Sequence, residues 1–183
     1  MTRRYPVLAA AVALLLIGAA ITPAAEKPDS VLAFEQLASL AGEWRGTQDG
    51  TEMRLTYTLT ADGSALMEEF RAGKTVMVTM FTVDGDHLIA THYCSAGNQP
   101  QMMTKAITDP SAKSLTFSLS HAYGMKTPGD WHNTGLTVTI EDDQHLTQVW
   151  TYEYEGKKGT NTFRFTRAAR VSSHSPQIRQ ASI

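Results

Sequence analysis

Apolar and polar residues alternate one for one through much of this chain. Met53, Leu55, Tyr57 and Leu59 share one parity, with Glu52, Arg54, Thr56 and Thr58 on the other. Leu115, Phe117 and Leu119 alternate with Thr116, Ser118 and Ser120, and Leu136, Val138 and Ile140 alternate with Thr137 and Thr139. Leu146, Gln148, Trp150, Tyr152 and Tyr154 continue the pattern, and Phe163 and Phe165 close it against Thr162, Arg164 and Thr166. A two-residue period predicts strands with one buried face. Turn chemistry separates them at Asp49-Gly50, Asp62-Gly63, Ala72-Gly73, Asp84-Gly85, Gly97-Asn98, Asp109-Pro110, Asp142-Asp143 and Gly156, mostly about a dozen residues apart. Only one segment of the mature chain keeps a helical period. Ser30 reads as its N-cap, Val31, Phe34, Leu37, Ala38 and Leu40 as its apolar stripe, and Gly42 as its stop.

These elements predict an all-β fold. No connection is long enough for a crossover helix, so the strands pair antiparallel. An open meander of about ten strands would expose two edges, and closure removes both. The expectation is a roughly ten-stranded antiparallel up-and-down closed barrel with a short N-terminal helix. About eight strands already hold one small ligand, so a cavity is expected here rather than a solid core.

The two ends read differently. Met1–Ala25 carries Arg3 and Arg4, an apolar run from Val7 to Ile21, and the small residues Thr22-Pro23-Ala24-Ala25. That is the pattern of a cleaved signal peptide, and the run is short for a membrane span. The expected organisation is a signal peptide over 1–25, a linker over 26–29, the barrel domain over 30–167 and a polar, aperiodic disordered tail over 168–183. The mature protein is expected to be exported, periplasmic or secreted, with no stable membrane anchor.

Composition narrows the classes. Of 183 residues 42% are hydrophobic, which excludes wholesale disorder, and 16 basic against 18 acidic residues give no reason to expect nucleic acid. One cysteine, Cys94, cannot form a disulfide within the chain, so stability rests on burial alone.

Gly42-Glu43-Trp44 stands where the helix enters the first strand, with Arg164 and Arg167 in the last. Gly-x-Trp with a late Arg stacked over the indole resembles the lipocalin signature, whose role is structural. A narrower likeness lies in Asp84-Gly85-Asp86-His87-Leu88, Thr91-His92-Tyr93-Cys94, Ala96-Gly97-Asn98-Gln99-Pro100 and Met102, together with Gly63-Ser64-Ala65-Leu66 and Trp150. These resemble a group of uncharacterised exported bacterial lipocalin-like (calycin-type) proteins over most of Phe34 to Arg167. Such proteins commonly have Arg after the Pro, and this chain has Gln101. The resemblance implies the fold and leaves function open.

Candidate chemistry centres on His92 and Cys94, two apart on a predicted strand and sharing a face with Leu88 and Ala90. His121 and His132 flank the long Ala122–Trp131 loop, and Asn98 and Gln99 follow Cys94 in a turn. Three readings compete. The first is structural: a buried His hydrogen-bonds backbone, Cys acts as a small hydrophobe, and Asn98-Gln99-Pro100 is turn chemistry. The second is a small apolar or amphipathic ligand. Met77, Met80, Met102, Trp150 and Tyr152 would wall it, and His92, Cys94, Asn98, Gln99, His132 and Gln148 would line or orient its head group. The third is a metal- or haem-dependent barrel using His92, through His-x-Cys zinc ligation or a resemblance to nitrobindin-type haem barrels. No cofactor or metal ligand set is assigned. Glu68 and Glu69, adjacent in a strand, face opposite ways and read as solvated or ion-paired carboxylates. No catalytic constellation is visible, and the second reading is carried forward.

Overall fold

The computed structural model describes residues 26–169, so the expected signal peptide over 1–25 and most of the expected tail over 168–183 lie outside the described residues. One helix, α1 (Asp29–Ala38), precedes ten strands: β1 (Gly42–Gln48), β2 (Thr51–Thr60), β3 (Ala65–Ala72), β4 (Thr75–Asp84), β5 (His87–Tyr93), β6 (Gln99–Met103), β7 (Ser114–Tyr123), β8 (His132–Ile140), β9 (His145–Tyr154) and β10 (Lys157–Arg167). Each strand pairs antiparallel with its sequence neighbours, and β10 returns to β1 through Trp44 opposite Arg167. The described residues form a closed ten-stranded up-and-down barrel, in which every strand has a neighbour on both sides.

Up-and-down winding gives the barrel two unlike ends. One carries α1 and the turns β2–β3, β4–β5, β6–β7 and β8–β9. The apolar stripe of α1 buries Ala33, Phe34 and Leu37 there. Ser30 is not the cap: Pro28 precedes the helix, and Ser30 lies in its first turn, donating through Oγ to Gly85 O at 2.7 Å. The hydroxyl ties α1 to the β4–β5 turn instead of to its own amides. Trp44, fully buried, plugs this end and donates from Nε1 to Leu40 O at 2.8 Å.

Arg167 closes the arrangement from outside. Its guanidinium lies 4.1 Å from the Trp44 ring centroid and donates to Ser39 O, Ala41 O and Asp143 O. Gly42 sits at φ 127°, where a Cβ would press on Arg167 Nη1 at 3.3 Å, so glycine is needed twice over. Arg164, the other candidate cation, is exposed on the outer face and takes no part.

The expected spacious cavity is mostly filled. Leu66, Phe81, Leu88, Phe117, Leu136 and Leu146 meet inside the closed half with almost no exposure, and the Phe81 and Phe117 rings pack tilted with centroids 5.6 Å apart. Strand number sets the width, but bulky inward residues decide how much of it stays empty. Two parities also depart from expectation. Leu59, at the end of β2, is 46% exposed, and Met80 falls on the outward parity between buried Thr79 and Phe81.

Candidate functional site

One row of the barrel wall is polar. In register across four strands stand Tyr57 of β2, Glu68 of β3, Thr79 of β4 and His92 of β5. Each occupies the inward parity of its strand: Glu68 lies between Leu66 and Phe70, Thr79 between Met77 and Phe81, and His92 two beyond Ala90. All four are buried. Gln148 reaches them from β9 across the barrel.

The row is tightly bonded. Tyr57 OH donates to Glu68 Oε2 at 2.5 Å, and Gln148 Nε2 donates to the same oxygen at 2.5 Å and to Tyr57 OH at 2.8 Å. Trp150 Nε1 donates to Gln148 Oε1 at 2.9 Å, which fixes which way that amide faces. Thr79 Oγ1 lies 2.9 Å from His92 Nδ1 and 3.4 Å from Glu68 Oε1. A hydroxyl has one proton to give. Assigning the Thr79 proton to ionised Glu68 makes Thr79 Oγ1 the acceptor of His92 Nδ1–H, which is the tautomer adopted here. His92 Nε2 is then a bare lone pair, buried and without a partner.

Electrostatics follow from burial. No cation faces Glu68 among the described ion pairs, and desolvation pushes its carboxyl up to about 7 although Tyr57, Gln148 and Thr79 pull the other way. Burial, and then the Glu68 charge, raise the Tyr57 hydroxyl. Burial pushes the His92 imidazole down to about 4, so the ring is neutral at pH 7.

Beside this row, toward the helix-free end, lies a cavity of about 100 Å³. Phe70, Met77, Trp131, Trp150 and Phe163 form apolar walls, and Glu68, His92, Asn133, Gln148 and Asn161 are its polar lining. A β-bulge in β8 between Asn133 and Gly135 re-aims the strand, which lets Asn133 face inward three residues from inward Leu136. Trp131 comes from the β7–β8 connection. Asn98 Nδ2 holds its carbonyl at 2.6 Å, and Tyr152 stacks on its ring at 5.4 Å. Tyr152 in turn lies over Gly159 of β10, where any Cβ would strike the phenol.

The residues expected to line the site divide into three groups. His92, Gln148, Trp150 and Met77 line the cavity. Asn98 and Tyr152 stand behind it and hold Trp131. The rest are elsewhere. Met102 is fully buried opposite Ala90, away from the cavity, and Gln99 Nε2 turns back to Gly97 O. Cys94 lies one residue past the end of β5, half-buried, with Sγ accepting from Ala96 N, and burial raises its thiol. His132 Nδ1 donates to Asp130 O, and His121 is exposed and packs tilted against Tyr123. His92, Cys94, His121 and His132 are not brought together at one site.

Glu68 is the main correction. Its partner Glu69 is the surface carboxylate expected, bonded to Arg71 at 2.6 Å, but Glu68 is 1% exposed at the centre of the site. Its parity with Leu66 and Phe70 was the available signal. Among the described residues no three His, Cys, Asp or Glu side chains stand close enough to share a metal ion, and about 100 Å³ is far below what would enclose a haem.

The fold and site define a closed ten-stranded barrel with a filled, helix-plugged half and a small polar-floored pocket toward the other end. No protein-family model matches the chain, and no curated protein matches it. Among solved structures it is similar to a protein of unknown function from the DUF3598 family of Nostoc punctiforme, at 17% identity and a TM-score of 0.49. The likeness covers 82% of this chain, which spans about half (53%) of that one.

Proposed function

We propose that this protein is an exported barrel that binds a small amphipathic molecule in the pocket floored by Glu68, His92 and Gln148. The observation that carries this reading is His92 Nε2, a buried polar atom at an apolar-walled cavity with nothing to bond. Leaving such an atom unpaired costs about 1–3 kcal/mol, a cost a ligand would offset. Size limits the occupant. An engineered cavity of about 150 Å³ holds benzene, so a space of about 100 Å³ suits a molecule of a few heavy atoms. Export rests on the pattern of Met1–Ala25, and N-terminal sequencing of the periplasmic or secreted protein tests it.

Native mass spectrometry of protein purified from its own source, beside a His92→Leu variant, tests binding. The expected result is an added small mass on the wild type that the variant loses, with stability changed by less than about 1.5 kcal/mol because the unpaired nitrogen leaves with the ring. A bare wild-type mass together with a large loss of stability in His92→Leu would make His92 a structural residue.

A further inference from the structure

We infer that the pocket selects a small primary ammonium over neutral or anionic molecules of the same size; this rests on the reading that the pocket binds a small ligand at all. Three independent features converge on that class.

The first is unspent hydrogen-bonding capacity. The donors of the polar row are already committed: Tyr57 OH to Glu68, Gln148 Nε2 to Glu68 and Tyr57, and Trp150 Nε1 to Gln148. What remains on the row itself is acceptor capacity; Asn133 and Asn161 add side-chain amides that can donate or accept. His92 Nε2 has no partner, and Glu68 Oε1 has only the long 3.4 Å contact from Thr79. A ligand group that engages His92 Nε2 and Glu68 Oε1 must therefore bring N–H or O–H groups.

The second is charge. Ionised Glu68 is buried with no countercharge, and a buried unpaired charge is costly. The titratable groups facing it are Tyr57 from β2 and, through Thr79 of β4, His92 from β5. Opposite it, β9 and β10 present Gln148, Trp150, Asn161 and Phe163, none of them ionisable. A cationic ligand supplies the missing charge, and an anionic one doubles the penalty.

The third is the wall. Phe70, Trp131, Trp150 and Phe163 surround the floor, and aromatic rings attract cations as well as alkyl chains. An ammonium with a short alkyl chain thus places N–H groups on His92 Nε2 and Glu68 Oε1 and its carbons among the rings.

The experiment uses three probes that share one four-carbon chain: n-butylamine, n-butanol and butyrate, titrated into the mature protein by calorimetry or ligand-detected NMR at about pH 8. Butylamine is expected to bind at least about tenfold more tightly than butanol, a difference of about 1.4 kcal/mol, with butyrate weakest. Lowering the pH to about 6 protonates most of a carboxyl that titrates at about 7. Butylamine affinity should then fall about tenfold while butanol is unchanged. Glu68→Gln should abolish the preference of the pocket for butylamine over butanol, and cooperative thermal unfolding shows that the variant folds. If that variant does not fold, the wild-type pH dependence still decides. Equal affinity for butylamine and butanol, or a butylamine preference that survives Glu68→Gln, overturns the ammonium assignment and leaves the ligand pocket standing. Binding of none of the three overturns the pocket reading itself.

Discussion

The two ends of this barrel solve opposite problems with one frame. At the helix end, polar groups find partners ready. Trp44 Nε1 meets Leu40 O, Ser30 Oγ meets Gly85 O, and Arg167 meets three carbonyls. At the other end partners are missing. Of the buried polar side-chain atoms without a hydrogen bond among the described residues, Gln36 Oε1 belongs to α1, while His92 Nε2 and Asn98 Oδ1 lie at or behind the pocket. The same end carries Val76, Tyr93, Tyr123 and Tyr154, each about half exposed. Proteins break their own packing and pairing rules mainly where they function. The difference therefore assigns stability to the plugged half and recognition to the half that is left unfinished.

The largest expected effect lies in the plug. Trp44→Ala removes a fully buried indole, its hydrogen bond and its stacked guanidinium, and should cost about 3–5 kcal/mol in denaturant unfolding. A loss below about 1 kcal/mol would show that the helix end does not carry the fold.

The polar row should reveal itself through pH. Glu68 holds its proton more tightly folded than unfolded, so its contribution to stability is complete below 4.5 and is lost as pH rises through about 7. His92 does the reverse: its contribution is complete above 6.5 and is lost as pH falls through about 4. Their slopes oppose each other where the windows overlap. Measured against wild type, Glu68→Gln should gain about 3 kcal/mol between pH 4.5 and 7. Two parallel stability profiles would mean that Glu68 is solvated after all.

Smaller effects sharpen the boundary between the ends. Arg167→Ala should cost about 2 kcal/mol, since charged hydrogen bonds and a cation–π contact go together. Arg164→Ala, on the outer face, should stay within about 0.5 kcal/mol. If the two arginines behave alike in thermal unfolding, the stacking on Trp44 is not what holds the plug. Asn98→Ala should cost only about 1 kcal/mol but release the Trp131 carbonyl. Hydrogen exchange should quicken in the β7–β8 connection and leave α1 unchanged.

The sequence discloses the plugged half more fully than the pocket, for physical reasons. Strands such as Thr51–Thr60 and His145–Tyr154 declare themselves because one face is apolar and the turns between them carry Gly and Asp. Trp44 and the late arginines stand at recognisable places, although only contact distances choose Arg167 over Arg164. The pocket was half visible. His92, Gln148 and Trp150 lie on inward parities, whereas Glu68 reads as a surface carboxylate because charged residues usually face water. Parity with Leu66 and Phe70 outweighs that prior. Asn133 and Trp131 had no comparable signal: a bulge shifts one, and a loop folded back by Asn98 and Tyr152 delivers the other. Cys94 misled because β5 ends at Tyr93, one residue before the parity would have turned it inward.

The central claim is that the polar row keeps one acceptor free for a ligand. Nitrogen-15 NMR of the histidine rings at about pH 8, with the His92 signals assigned through His92→Leu, tests it most directly. The account predicts a neutral ring protonated on Nδ1, with a bare Nε2 whose signal moves when n-butylamine is added. A ring protonated on Nε2 in the free protein, or an Nε2 signal that ignores a saturating ligand, would contradict it.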